Sequence, residues 1–402
     1  MKITLRSAVF LLLATSTLTI PAQAEDVPPV VNAILKSWET QFQAKPTYEK
    51  IETDSGGNVT ITNLVASAAA EGPKPGMKLT IGAITLEDVA EEADGLIDVG
   101  SATFSDTKVE VSGVDSPTFS IEMPKGSAEN WYIAVANDNP TPQQAFRASM
   151  SIARKMSSGE VKVSAMGQTI TSDGYKATWD GDPATGAGKF TMGIGEVIIP
   201  ESALAAMDPS GELKKLGYSD LTISASGTGE LTVGEGIFGM SGNVEYAVKD
   251  MGGLKMAFGA SDVPTATVVE MQAAQKAGRT PDFNTLMPQL MNVSLGNLQL
   301  RFEDASITKK VLPIIAKMQG MDETAMVANA GAMMQIGLMQ LKNQAFTDQV
   351  VNAVNTFLKD PKSFTVSLKP AAPVKVQQLM TLDPANPGAA IDVLGVSITA
   401  ND

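Results

Sequence analysis

The sequence predicts an α+β protein: long curved antiparallel sheets packed on or around helices, with a buried, methionine-rich helix near the C-terminus. Three observations carry that expectation. Short alternating apolar and polar runs, separated by Gly, Asp, Ser and Pro, recur from Tyr48 to Gly259, as in antiparallel strands joined by tight turns. After Pro264 the apolar spacing changes to that of helices. The run Thr324–Leu341 carries Met326, Met333, Met334, Ile336, Leu338, Met339 and Leu341 and no ionisable side chain.

In chain order, Val27 to Gln43 predicts an amphipathic helix, because Val30, Val31, Ile34, Leu35, Trp38 and Phe42 fall at helical spacing behind Pro28 and Pro29. Tyr48–Glu52 and Val59–Val65 flank Asp54-Ser55-Gly56-Gly57-Asn58 and form a hairpin by its turn chemistry. Strands follow at Lys78–Leu86, Leu96–Phe104, Lys108–Val111, Thr118–Met123 and Tyr132–Val135. A helix is expected over Thr141–Met156, with Thr141 as cap, Pro142 in the first position and Gln144 completing a capping box. A β-meander continues through Val161–Met166, Gln168–Thr171, Tyr175–Trp179, Phe190–Ile199, Leu221–Ser226, Gly229–Val233, Gly242–Val248 and Gly253–Gly259, with one or two helical turns inside Ser202–Leu216. Thr265–Ala277 and Asn284–Met291 read as helices, and Ser294–Phe302 as a strand. Asp322 and Thr347 are candidate N-caps, the last long helix stops before Pro361, and Phe364–Leu368 and Val396–Thr399 alternate as strands.

Met1–Ala24 reads as a cleaved secretory signal: Lys2 and Arg6 precede an apolar stretch from Ala8 to Ile20, and Ala22-Gln23-Ala24 offers small residues for a peptidase. Residues 25–158 then form an N-terminal half and 159–402 a C-terminal half. Without a polar linker, one continuous unit is expected rather than two independent domains. With 44 acidic against 30 basic residues the formal charge is −14, and removing the signal makes it more negative. That balance opposes nucleic acid as a partner. The chain has no cysteine, so neither a disulfide nor a cysteine-linked lipid anchor supports it. The Gram-negative periplasm is the expected location, with full secretion as second choice.

The chemistry is narrowed by what is missing. Without His or Cys, the usual triads, thiol nucleophiles and His or Cys zinc sites are excluded. No catalytic, cofactor or metal-ligating residue is assigned. Gly234–Gly239 spells a dinucleotide glycine pattern, but strand-like sequence follows it instead of a helix, so a hairpin turn is expected. Asp180-Gly181-Asp182 lacks the distant Glu of a calcium loop, and Ser157, Ser158 and Lys162 form a dyad only in letters.

A helix without charges has to be covered nearly all round. Three covers are open for Thr324–Leu341: a sheet and helices of the same chain, an apolar ligand such as a lipid, or a partner subunit. If a ligand shares that space, Met326, Met333, Met334, Leu338 and Leu341 are the lining candidates, and Met334→Asp is expected to cost several kcal/mol. A stable transmembrane span is not expected, because Asn329, Gly331, Gln335, Gly337 and Gln340 make the run too polar.

Phe302-Glu303-Asp304-Ala305-Ser306, Phe357-Leu358-Lys359-Asp360-Pro361, Lys369-Pro370-Ala371-Ala372-Pro373-Val374 and the ending Leu394–Asn401 resemble a family of uncharacterised Gram-negative periplasmic proteins. More loosely, the whole chain is similar to the β-rich envelope proteins of the YdgA-like and AsmA-like kind. The resemblance implies a role in the envelope and the handling of lipid, and carries no functional residue with it. Three functions follow as expectations: a non-enzymatic envelope protein binding or carrying an apolar ligand, a structural or assembly factor that takes no small ligand, or a glycan enzyme using two carboxylates.

Overall fold

A computed structural model describes residues 27–42, 45–68, 76–92, 95–112, 118–134, 140–276, 280, 282–383 and 385–402. The expected signal peptide, Met1–Ala24, lies outside the described residues. The chain divides into two compact units. One comprises Met1–Gly186, Met192–Met207 and Met271–Thr280, and the other Ala187–Thr191, Asp208–Glu270 and Pro281–Asp402.

In the first unit, α1 (Pro29–Phe42) begins with proline as expected. β1 (Lys50–Thr53) and β2 (Val59–Ala68) pair antiparallel from Thr53↔Val59. Asp54 makes their turn: its Oδ1 accepts from the N–H of Gly56 (2.7 Å) and of Asn58 (3.0 Å). β3 (Gly76–Glu91), β4 (Leu96–Ser112) and β5 (Phe119–Ala134) extend the sheet in sequence order. α1 presents Val30, Val31, Ile34 and Leu35 to Ile61, Leu64, Ile84, Leu86 and Val99, all of them buried. Alternation thus places every second residue of these strands in a dry core.

The strands are longer than their turn-like residues suggest. Leu96–Phe104 and Lys108–Val111 are one strand, running through Asp106 at φ 51°. Asn63, Asp88 and Asn130 also take positive φ within strands, at 48°, 53° and 46°. The ladders keep one register on either side, which sets Asn63 and Asp106 beside Gly82, and Asp88 and Asn130 beside Gly100. A Cβ on Gly82 would lie 3.0 Å from the Asp106 Cβ, and one on Gly100 only 2.8 Å from that of Asp88. Asn and Asp tolerate the left-handed region and glycine leaves room for them, so these residues kink the strands without ending them.

α2 (Pro142–Ala148) has the expected capping box: Thr141 accepts from the Gln144 N–H and Gln144 from the Thr141 N–H. It is half the expected length. The rest of Thr141–Met156 becomes β6 (Ile152–Ser158), because β5 offers an open ladder that pairs Trp131 with Ala153 and Ala128 with Met156. β7 (Val161–Ala165), β8 (Gln168–Ser172), β9 (Tyr175–Gly181) and β10 (Gly188–Ile199) follow. α3 (Glu201–Met207) and α4 (Glu212–Lys215) supply the helical turns expected between Ser202 and Leu216.

The second unit is built on β11 (Leu221–Val233), β12 (Ile237–Val248) and β13 (Gly252–Pro264), a meander. Gly234–Gly239 is the β11–β12 turn, with the Gly234 N–H on the Ile237 carbonyl at 2.9 Å. After α5 (Thr265–Lys276) and α6 (Phe283–Leu290), β14 (Ser294–Asp304) returns beside β13. α7 (Ile307–Met318), α8 (Glu323–Leu338) and α9 (Gln344–Lys359) come next, and α8 ends in a 3-10 turn, Met339–Leu341. β15 (Ser363–Leu368) pairs with β14, and β16 (Val374–Lys375) makes a two-residue pairing with it. The chain closes with α10 (Val376–Met380), α11 (Gly388–Leu394) and β17 (Val396–Ala400), the last paired with β15. Asp322 caps α8 as expected, accepting from the Ala325 N–H at 2.8 Å. Asn343 rather than Thr347 caps α9, accepting from the Phe346 N–H at 3.0 Å, while Thr347 lies inside the helix.

Two expectations are corrected. Among the described residues the fold is sheet-dominated, at 47% strand and 30% helix, and not a balanced α+β. The reason is that glycines and left-handed Asx residues were absorbed into long strands. The methionine-rich helix is not buried all round either. Met326 and Val327 are 9% and 8% exposed and pack with Leu312, Ala316 and Leu358, whereas Met333 is 74% exposed. One flank meets α7 and α9, where a Cβ on Gly331 would approach the Asn355 Oδ1 to 2.8 Å. The other flank, with Ala328, Ala332 and Ile336, faces water.

Candidate functional site

The five lining candidates do not converge on an enclosed space. Met326 is buried, Leu338 and Leu341 are half-buried, and Met333 and Met334 are exposed. A cavity of about 390 Å³ lies in the other unit, between Pro29, Asn32, Ala33 and Lys36 of α1 and Glu91, Glu92, Gly95, Leu96 and Ile97.

What the second unit does bring together is one face of its sheet. Directly opposed residues on neighbouring strands share a face, and the registers align three rows. The first runs Gly229, Gly242, Phe258, Leu298, Leu368, Val396 from β11 to β17. The second runs Gly227, Val244, Met256, Leu300, Val366, Ile398, and the third Ala225, Tyr246, Leu254, Phe302, Phe364, Ala400. Six strands make this strip about 24 Å wide. Its β11 side is floored by glycine. The Phe190 ring lies against Gly229, and the Phe258 ring sits 3.3 Å from where a Gly242 Cβ would be.

The opposite face is polar. Lys255 bridges Glu245 (3.4 Å) and Glu303 (2.9 Å), and Arg301 holds Glu303 (3.0 Å) and Asp402 (2.6 Å). The hydrogen bond from Lys255, followed by that from Arg301, keeps the Glu303 carboxyl below its ordinary pKa. That face is therefore suited to water, and the apolar face is the one that needs a cover.

The cover is partial. Phe357 of α9 makes edge contacts with Phe302 and Phe364, at centroid distances of 6.1 and 5.7 Å, and closes that corner. Away from it, Met240, Tyr246, Leu298 and Leu300 remain between 41% and 47% exposed. Exposed apolar side chains scattered singly are ordinary, but a contiguous group in register marks a binding surface. Each of these strands was legible as a strand from its alternation. The open face was missed because alternation says nothing about whether a helix covers it.

Residues singled out for other chemistry stay apart. The Lys162 Nζ pairs with Glu160 at 3.0 Å, while Ser157 Oγ is 2.9 Å from Ser127 Oγ and Ser158 Oγ accepts from the Tyr175 N–H. Asp182 accepts from the Thr185 hydroxyl and the Ala184 N–H, an Asx turn, while Asp180 pairs with Arg154 at 2.9 Å. Arg154 in turn lies 4.9 Å from the Trp179 ring centroid. Asp98, across the ladder from Tyr132, has one buried oxygen without a hydrogen-bond partner. Burial, reinforced by Glu92, raises its carboxyl pKa. Arg147 is buried, donates to the carbonyls of Pro183 and Met150, and is lowered to about 10 by desolvation. Among the described residues no group of three or more acids could hold a metal ion, and no helix is long and apolar enough to cross a membrane.

No curated protein matches the chain. Residues 245–401 match a family model described as "Uncharacterized protein", a region that takes in β13 to β17, α9 and most of the apolar face, so the resemblance of this part of the chain is to an uncharacterised family.

Proposed function

We propose that the protein is a non-enzymatic binding or carrier protein for an apolar ligand such as a lipid, held along the open sheet face of the second unit. The single observation that supports this is the three-row apolar strip, left open at Tyr246, Leu298 and Leu300, with Met240 exposed just beyond its first row on β12. Covering those side chains stabilises by roughly 25 cal/mol for each Å² of apolar surface removed from water. The site lies on the sheet, and the methionine helix does not line it.

We further infer that the protein works in the envelope of a Gram-negative cell, in the periplasm. The support is the signal-like Met1–Ala24, the absence of cysteine and the YdgA-like and AsmA-like resemblance. Cell fractionation tests this location: recovery in the cytoplasm with Met1–Ala24 intact overturns it.

The ligand is tested by titrating the purified chain with a fluorescent fatty acid and by native mass spectrometry after mild purification. Saturable probe binding is expected, abolished in Leu298→Glu/Leu300→Glu while the unfolding transition is kept. Clean protein masses over several preparations, together with no probe binding by folded protein, overturn the reading.

A further inference from the structure

Leucine and methionine have nearly the same volume and exchange readily in a packed core, yet this protein sorts them. Among the described residues seven leucines are buried and two, Leu298 and Leu300, are strongly exposed. Methionine is reversed: Met77 and Met326 are buried, and ten of the twenty large apolar side chains that stand open to water are methionines. Methionine ranks with leucine among the residues most often found inside, so packing does not account for the reversal.

The exposed methionines are also dispersed. In the first unit Met166 follows β7, Met192 lies in β10, Met207 ends α3 and Met271 lies in α5. In the second, Met240 lies in β12, Met318 ends α7, Met333 and Met334 lie in α8, Met339 opens its 3-10 turn and Met380 ends α10. A surface that binds a protein or a bilayer is one contiguous patch, and a soft metal ion needs its thioethers gathered round one point. Neither describes side chains distributed over strands, helices and turns of both units. A small diffusible reagent needs no patch, only sulfur it can reach. With no cysteine in the chain, methionine supplies all of that sulfur.

We propose that the exposed methionines form an oxidant-consuming surface, whose substrate is a two-electron oxygen donor of the hypochlorous acid class. The thioether lone pair attacks the oxygen of the acid, the S–O bond forms as the O–Cl bond breaks, chloride leaves, and the hydroxyl proton passes to water. Sulfur is thereby oxidised by two electrons to the sulfoxide and chlorine reduced to chloride; sulfoxide reductases can return the thioether. The placement keeps the core out of that reaction. On Met318, Met333, Met339 and Met380 the new oxygen is hydrated, whereas on Met326 it would stand unpaired among Leu312, Ala316 and Val327. The inference is independent of any ligand on the sheet face.

The test titrates the full chain with hypochlorous acid and maps added oxygen by peptide mass spectrometry, with the unfolding transition followed in parallel. Met318, Met333, Met339 and Met380 should gain oxygen at least about tenfold faster than Met77 and Met326, with cooperative unfolding and solubility kept. Met318→Leu/Met333→Leu/Met339→Leu/Met380→Leu conserves volume and apolarity, so it should fold as the wild type does. It should take up about four fewer oxygens before a buried methionine reacts, and protect less well a co-incubated enzyme that hypochlorous acid inactivates. The proposal is overturned if buried and exposed methionines react at one rate, if the first oxygens unfold or precipitate the chain, or if the folded variant protects the enzyme as well as the wild type. Fatty-acid probe binding enters none of these outcomes.

Discussion

The two units solve the same problem differently. Each has a sheet with one apolar face, but in the first unit α1 lays Val30, Val31, Ile34 and Leu35 onto that face and leaves Ile61, Leu64, Ile84 and Val99 with no appreciable exposure. In the second unit α9 packs along β15 and β17 and sets Phe357 on Phe302 and Phe364, while Tyr246, Leu298 and Leu300 stay open. The difference teaches that alternation in a strand specifies an apolar face, while the element that lands on it decides whether the face becomes core or binding surface. One unit is built for stability and the other keeps apolar area in reserve.

The largest expected effect tests the sealed face. Leu64→Ala should lower the unfolding free energy by about 2–5 kcal/mol, whereas Leu300→Ala should change it by less than about 1 kcal/mol, both read by urea titration. Equal losses would erase the contrast between the faces. Next comes α8, which has a sealed flank and an open one. Met326→Asp should cost about 2–3 kcal/mol by burying an unpaired charge, and Met334→Asp under about 1 kcal/mol, contrary to the larger loss expected from the sequence. Third, Gly100→Val sets a side chain against Asp88 and should cost about 1–3 kcal/mol, with fast amide exchange spreading along β3 and β4.

The smallest effect depends on pH. Burial raises the Asp98 pKa in the folded state, so the folded protein binds this proton more tightly than the unfolded chain. Ionised Asp98 therefore opposes folding at neutral pH, and the penalty disappears as pH falls through the raised value. Asp98→Asn should melt above wild type at pH 7, with the gap closing on acidification. A gap that is constant with pH would remove the titration from the account.

Much of the fold was legible in the residues. The Asp54 turn, the Thr141 capping box, the Asp322 cap and the helices beginning at Pro29, Thr265 and Phe283 were all signalled by local chemistry that acts within a few residues. Where the reading failed, distant partners had overruled local preference. Ile152–Ser158 carries apolar residues at helical spacing but was taken by the ladder of β5. Asp88 and Asp106 look like turn residues, yet glycines on the neighbouring strands let the chain run on. The candidate site was legible strand by strand and not as a surface, since its three rows exist only once registers are set.

By itself the sequence determined which residues alternate, where turns and caps form, that the chain is acidic, and that chemistry needing His or Cys is excluded; all of these follow from side-chain type and nearest neighbours along the chain. Only the tertiary structure decided that the uncharged helix Glu323–Leu338 has one wet flank and that the sheet beside α9 has an uncovered apolar face. Burial is a relation between segments far apart in sequence, and the number of helices available to cover a face is set by where they pack.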